Sequence, residues 1–297
     1  MVISHGLGGS RYSYFRLSEH LASYGFIVVG VEHIGTAIRD NILGTADIGN
    51  SNNIVSLYYR PSDIVHTIAY ADTLTAADGP LAGLIDTDHI AVWGHSTGGT
   101  TVFQAGGALI DFKALSAWCA GKESDVFAEE SCQFVGHEDD LAAFYGADNP
   151  GAALFPPLWD TRIDALVAAS PGGELHAFGA EGIAAVQVPT LIMFGSLDPF
   201  VSPEYNAHWA YDEIGSRDKT LVTFENGDHM MFANCPAAFK DLCGYDAVWD
   251  IDRAHDLINH FTTAFLLAVL YDDADAAAAL APDAVSFPGI TYETTGF

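Results

Sequence analysis

The chain has 297 residues, 49% of them apolar, enough for one large hydrophobic core. Its 39 acidic side chains against 11 basic ones give a formal charge of −28, which repels phosphates and anionic membrane surfaces and excludes nucleic acid as an expected partner. No apolar run approaches the ~20 residues of a membrane-spanning helix, so a soluble protein with no transmembrane segment is expected, and acidity of this degree also fits a saline habitat.

The chain opens as Met1-Val2-Ile3-Ser4-His5-Gly6, an apolar strand entering a glycine turn. No leader precedes that strand, and one or two further strands are expected before it, so the natural N-terminus is expected to be missing. Residues 14–24 follow as a helix with Tyr14, Leu17 and Leu21 on one face and Gly25 as its stop. The continuous apolar run 26–31 (FIVVGV) predicts a central parallel strand covered on both sides. Residues 34–59, rich in Gly, Asn, Asp and Ser, predict a long surface loop. Pro61 is expected in the first turn of the next helix, with Ile64, Ile68 and Ala71 at helical spacing. A strand at 90–93 runs into Gly94-His95-Ser96-Thr97-Gly98-Gly99 and then a small-residue helix at 100–109.

Residues 112–160 fit no simple strand-helix unit and carry Cys119, Cys132, Trp118, Phe134, Phe144, Tyr145, Phe155 and Trp159. They are expected to form a cap or lid, the alternative being a surface excursion without substrate contact. Strands are predicted at 163–168, 190–194 and 221–224, a long helix at 253–271, and an irregular tail after Pro282. The alternation of strand and helix predicts one α/β domain over residues 1–297, with a mostly parallel sheet covered on both faces. Cys119 with Cys132 and Cys235 with Cys243 form two local pairs, read as disulfides of a secreted or periplasmic protein. Four thiols in a cytosolic protein is the alternative.

Gly94-His95-Ser96-Thr97-Gly98 fits the G-x-S-x-G nucleophile elbow of the α/β-hydrolase fold, with an apolar strand before it and a small-residue helix after it. The glycines make room for a serine held in a strained strand-to-helix turn. A serine hydroxyl is a weak nucleophile near neutral pH, so it needs a base in reach and a carboxylate to orient that base. The fold places these in chain order Ser, acid, His. His229, after the strand 221–224 and the turn Glu225-Asn226-Gly227-Asp228, is the expected base. His5, His33 and His95 violate the order and are read as structural or pocket-lining; His208, His255 and His260 lie on predicted helices. Asp198, just after the strand 190–194, is the expected acid, with Glu204 in reserve and Asp228 expected to point elsewhere. The oxyanion donors are expected to be the backbone amides of Thr97 and of Leu7, in the run His5-Gly6-Leu7-Gly8-Gly9.

The blocks Ser4-His5-Gly6-Leu7-Gly8-Gly9, Leu21-Ala22-Ser23-Tyr24-Gly25-Phe26-Ile27-Val28-Val29, Val31-Glu32-His33 and Arg60-Pro61-Ser62-Asp63, with the elbow, Asp198 and His229, resemble the platelet-activating-factor acetylhydrolase group and bacterial dienelactone-hydrolase-like enzymes. The resemblance implies ester hydrolysis through a Ser, Asp, His triad with no metal or organic cofactor; the apolar insertion and the long loop 34–59 suggest an apolar acyl or aryl ester, small or lipid-like, as the substrate. This chain departs from that pattern in Thr97, where an aromatic residue or methionine is common, in the cysteine-bearing insertion and in the strands absent before Met1. Ser96 stands where true dienelactone hydrolases carry cysteine, which argues against that particular reaction. A cutinase-like polyester hydrolase is the runner-up enzyme, and a non-catalytic binding protein on the same fold is the alternative of another class. Acyl length, alcohol identity and oligomeric state are open at this level.

Overall fold

The computed structural model describes residues 1–45, 53–122, 124–145, 154–155, 158–234 and 248–297. Among these residues seven strands form one sheet: β1 (Val2–Ser4), β2 (Val29–Gly30), β3 (Ile90–His95), β4 (Ile163–Ala169), β5 (Thr190–Gly195), β6 (Lys219–Phe224) and β7 (Ile290–Thr294). Their order across the sheet is β2-β1-β3-β4-β5-β6-β7. All neighbours pair in parallel except β6 with β7. This is the α/β-hydrolase architecture expected from the elbow and the strand-helix alternation.

The central strands are apolar throughout because both of their faces are covered. Val92, Leu166, Ala168, Ile192 and Phe194 point into one core, whereas Ala91, Trp93, Val167, Leu191 and Met193 point into the other, as the two-residue side-chain period requires. On the second face lie α1 (Phe15–Ser23), with Leu17 and Leu21 buried, and the long C-terminal helix. The first face carries two helices from the early part of the chain, α3 (Asn53–Thr75) and α4 (Thr97–Ala105). The short α2 (Ile38–Leu43) lies beside the first turn, its Ile38 amide donating to the Gly9 carbonyl at 2.7 Å.

The expected insertion contains α5 (Phe112–Cys119), α6 (Glu129–Cys132) and α7 (Glu138–Tyr145). Its two ends are pinned by an antiparallel bridge between Ile110 and Phe155. Phe112, Leu115, Phe134 and Leu141 join the core of the α4 face, so among the described residues these helices pack into the main core. Cys119 and Cys132 form a disulfide, as expected from their spacing; Cys235 and Cys243 lie outside the described residues. The remaining helices are α8 (Gly179–Ala184), α9 (Trp209–Glu213), α10 (Ile251–Tyr271) and α11 (Ala274–Ala279). No helix among the described residues is long and apolar enough to cross a membrane.

Four local expectations are corrected. The run 26–31 is not a central strand: β2 has two residues and ends the sheet order, and its apolar neighbours Phe26 and Val28 pack on the core beneath α1 and α10. Residues 34–59 are not one loop, since they contain α2 and the start of α3. Pro61 does not open its helix but lies well inside α3. Proline has no N–H for the carbonyl four residues back, and here the Gln104 side-chain amide donates to that Leu57 carbonyl at 2.6 Å instead. The tail after Pro282 is not irregular throughout: Ile290 and Tyr292 alternate with exposed Thr291 and Glu293 in β7, which pairs with β6 and closes that sheet edge.

Candidate active site

Ser96 stands between β3 and α4 at φ 57° and ψ −131°, a backbone conformation that a non-glycine residue adopts only where its surroundings impose it. Gly94 and Gly98 make the turn possible. A Cβ on Gly94 would collide with the Gly98 carbonyl, and one on Gly98 with the Ser4 carbonyl of β1. The Ser96 amide donates to Ala169 of β4 at 3.0 Å, and its carbonyl accepts from Gly99 at 2.7 Å and Gly172 at 2.9 Å. Helix α4 starts at Thr97, earlier than the pattern of small residues suggested, so its first amides lie at the elbow with no intrahelical acceptor.

Asp198 and His229 come together from the ends of β5 and β6. His229 Nδ1 lies 2.6 Å from Asp198 Oδ2, with both side chains nearly sealed from solvent. The other carboxylate oxygen, Asp198 Oδ1, accepts the amides of Phe200 at 2.9 Å and Val201 at 3.0 Å. The carboxylate is therefore held by three donors. Asp228 does point elsewhere: its Oδ1 accepts the Met231 amide at 3.0 Å and caps the 3-10 turn His229–Phe232. The Phe200 ring packs edge-on against His229, with centroids 5.3 Å apart. His95, the residue before Ser96, lies against the same imidazole at 4.6 Å.

The first turn approaches Ser96 from β1. Its Gly6 amide donates to Tyr14 Oη at 3.3 Å, that of Gly8 to the Thr36 carbonyl at 2.8 Å and that of Gly9 to the Gly6 carbonyl at 3.0 Å. No acceptor among the described residues takes the Leu7 amide, the remaining one of this stretch. Arg60, 1% exposed, braces the turn from behind. It donates to the His5 carbonyl, to Thr36 Oγ1 at 2.6 Å and to Thr101 Oγ1 of α4 at 3.1 Å. Burial lowers its pKa to about 10, against the opposing charge of Glu174.

One contributor was invisible in the sequence. Glu174 is buried beside the elbow, where Oε1 accepts Thr97 Oγ1–H at 2.9 Å and Oε2 accepts Thr100 Oγ1–H at 3.3 Å. No motif marks it; a lone acid inside the apolar stretch 171–178 is the one available hint. Behind the first turn, His33 Nδ1 bonds Asp63 at 2.8 Å and His33 Nε2 meets Ser4 Oγ at 2.9 Å. That Ser4, His33, Asp63 arrangement has the connectivity of a triad, but Ser4 and His33 are fully buried, so it works as internal bracing. Burial, then the nearby Arg60 charge, hold His33 well below the usual histidine range and bring His5 down to about 3. Both are neutral hydrogen-bonding rings at neutral pH. The described residues hold no cluster of metal-ligating side chains.

A parallel sheet of this order with a strained serine at the end of β3 defines an α/β-hydrolase, and the comparisons agree. A model of the alpha/beta hydrolase family matches residues 1–242, and the chain belongs to that family. It is also 30% identical over 165 residues to the platelet-activating factor acetylhydrolase of the dog, Canis lupus familiaris. That match covers 43% of this chain and 37% of the relative, so the chain spans well under half of the relative it matches. These findings support a hydrolase.

Proposed function

We propose that this chain hydrolyses carboxylic esters through Ser96, His229 and Asp198. The observation that carries the reading is the 2.6 Å bond from His229 Nδ1 to a carboxylate already held by two amides, beside a serine in a strained elbow. With Nδ1 committed to Asp198, His229 Nε2 is the nitrogen left to take the Ser96 proton. Ser96 Oγ adds to the ester carbonyl, the amides of Leu7 and Thr97 stabilise the resulting oxyanion, and His229 returns the proton to the departing alcohol. Water then repeats the sequence on the acyl-enzyme.

The substrate class proposed is an apolar acyl or aryl ester or a lipid. In support, large apolar side chains stand exposed on the loops that carry the site: Leu7, Leu197 and Phe200. The relative's name, an acetylhydrolase of platelet-activating factor, also fits ester cleavage. We read residues 112–160 as a cap over this site. Its α5 and α6 pack on the segment Gly173–Phe178, where the Ser131 hydroxyl donates to the Gly173 carbonyl, and the neighbouring Gly172 bonds Ser96. The Cys119–Cys132 disulfide supports a secreted or periplasmic protein.

The test is hydrolysis of a p-nitrophenyl ester series from acetate to long acyl chains, with labelling by a fluorophosphonate. Wild-type protein is expected to turn over and to label at one site, and Ser96→Ala to do neither. Activity surviving in Ser96→Ala overturns the reading.

A further inference from the structure

His95 and Tyr14 take no part in that chemistry, yet they connect its parts. Each is 3% exposed; His95 is the last residue of β3 and Tyr14 immediately precedes α1. His95 Nε2 lies 2.9 Å from the main-chain carbonyl of His229. A carbonyl can only accept, so Nε2 carries the ring proton and Nδ1 is bare. Nδ1 lies 3.0 Å from Tyr14 Oη, so the tyrosine hydroxyl donates to it. The Tyr14 oxygen in turn accepts the Gly6 amide at 3.3 Å. Every proton in the chain is thereby assigned: Gly6 N–H to Tyr14, Tyr14 O–H to His95, His95 Nε2–H to His229.

From these bonds, and resting on the ester-hydrolase reading above, we propose that Tyr14 and His95 are positioning residues that lock the first turn and the base loop onto the nucleophile elbow. Gly6 precedes Leu7, whose amide is the proposed oxyanion donor; His229 is the proposed base; His95 is bonded to Ser96 through the chain. The segments around residues 6, 96 and 229 leave the sheet on separate strands, and backbone pairing ends where the loops begin. Two side chains then bind the loops to one another. The pair is itself wedged in place, with the Tyr14 ring on Trp93 at 4.7 Å and the His95 ring against Phe232 at 5.9 Å. No proton is relayed along it, since its last acceptor is a peptide carbonyl. Burial and the neighbouring His229 keep His95 uncharged, well below the usual histidine range, so the direction of the bonds holds over the range in which an esterase works.

The experiment compares Tyr14→Phe, His95→Gln, His95→Leu and Ser96→Ala with wild type. It measures kcat and KM on a short p-nitrophenyl ester, the melting temperature, and the affinity of a trifluoromethyl ketone that forms an oxyanion on the active serine. In Tyr14→Phe, kcat is expected to fall about tenfold with KM within about twofold, and ketone affinity to weaken by the same factor as kcat/KM. His95→Gln, whose amide nitrogen can still reach the His229 carbonyl, is expected to retain more activity than His95→Leu. Wild-type kcat in Tyr14→Phe, or in a folded His95→Leu, overturns the positioning role, as does a loss confined to KM or to melting temperature. Should His95→Leu fail to fold, the near-isosteric Tyr14→Phe decides the question. Turnover by Ser96→Ala overturns the underlying reading, whereas a dead Ser96→Ala beside a fully active Tyr14→Phe removes this inference alone.

Discussion

Gly6 faces Ser96 so closely that a methyl group between them would fit only if its neighbours gave by a few tenths of an ångström. A Cβ at position 6 would stand 3.0 Å from Ser96 Cβ and 3.6 Å from its Oγ. The glycine here therefore serves close approach as well as chain flexibility. Gly6→Ala is expected to push the turn away from the elbow and to lower kcat/KM about 10- to 100-fold, since small misplacements of reacting groups carry costs of that order. Steady-state kinetics beside circular dichroism checks this; wild-type turnover by a folded Gly6→Ala would mean the turn lies elsewhere in the working enzyme.

Arg60 is a three-armed brace, and a lysine cannot reproduce it. One ammonium cannot reach the His5 carbonyl, Thr36 and Thr101 at once in the geometry of a planar fork. Arg60→Lys is expected to destabilise the fold by roughly 2–4 kcal/mol, with two buried acceptors left short of a donor. Urea unfolding gives the difference directly. A change under about 0.5 kcal/mol, the range of ordinary surface substitutions, would show that water or neighbouring groups replace the lost arms.

Stability should decline as the medium is acidified below about pH 6.5. Burial depresses His5 to about 3 and His176 and His255 to about 4, from an ordinary value of 6.5. Below that value the unfolded chain takes up protons that the folded chain refuses, so the contribution is complete above it and lost as pH falls. Asp63, raised to about 6 by burial, opposes this by binding a proton in the folded state between its ordinary 3.8 and that value. The histidines outnumber it. His255→Gln, on α10 and away from the elbow, is expected to flatten the slope of unfolding free energy by up to about 1.4 kcal/mol per pH unit between pH 6 and 5. Urea titrations at a series of pH values test it, and an unchanged slope would mean that His255 titrates normally.

The Cys119–Cys132 disulfide closes a loop of 13 residues from the end of α5 to the end of α6. A loop of about that length is worth roughly 3 kcal/mol through restriction of the unfolded chain. Replacing both cysteines by serine is expected to lower unfolding free energy by about 2–3 kcal/mol and to speed amide exchange in α5 and α6 before α10. Exchange accelerated equally everywhere would show instead that these helices open only with the whole fold.

Much of the framework was legible in the chain because it depends on local order. The apolar runs of β3, β4 and β5, the glycines at 94 and 98 and the placement of Asp198 and His229 after successive strands each follow from a few neighbouring residues. The misread parts follow one rule. A run such as 26–31 is apolar whether it fills a sheet centre or packs its flank on a helix, and Pro61 could sit inside α3 because Gln104, distant in sequence, supplies the missing bond. The tail carried a readable signal, the alternation of Ile290 and Tyr292 with Thr291 and Glu293, but its partner β6 lay far back in the chain.

By itself, then, the sequence determined the fold class and the glycine-flanked elbow at Ser96, and it singled out Asp198 and His229 as the acid and base proposed here, because short-range sterics and chain order suffice for those choices. Tertiary structure alone decided that Asp198 meets His229 at 2.6 Å, that Tyr14 and His95 bond the first turn to the loop of His229, and that Glu174 and Arg60 flank α4 from inside the core. A buried polar group must find a partner wherever the chain happens to bring one, and in these pairs, Gly6 with Tyr14 aside, the partners lie between 31 and 134 residues apart.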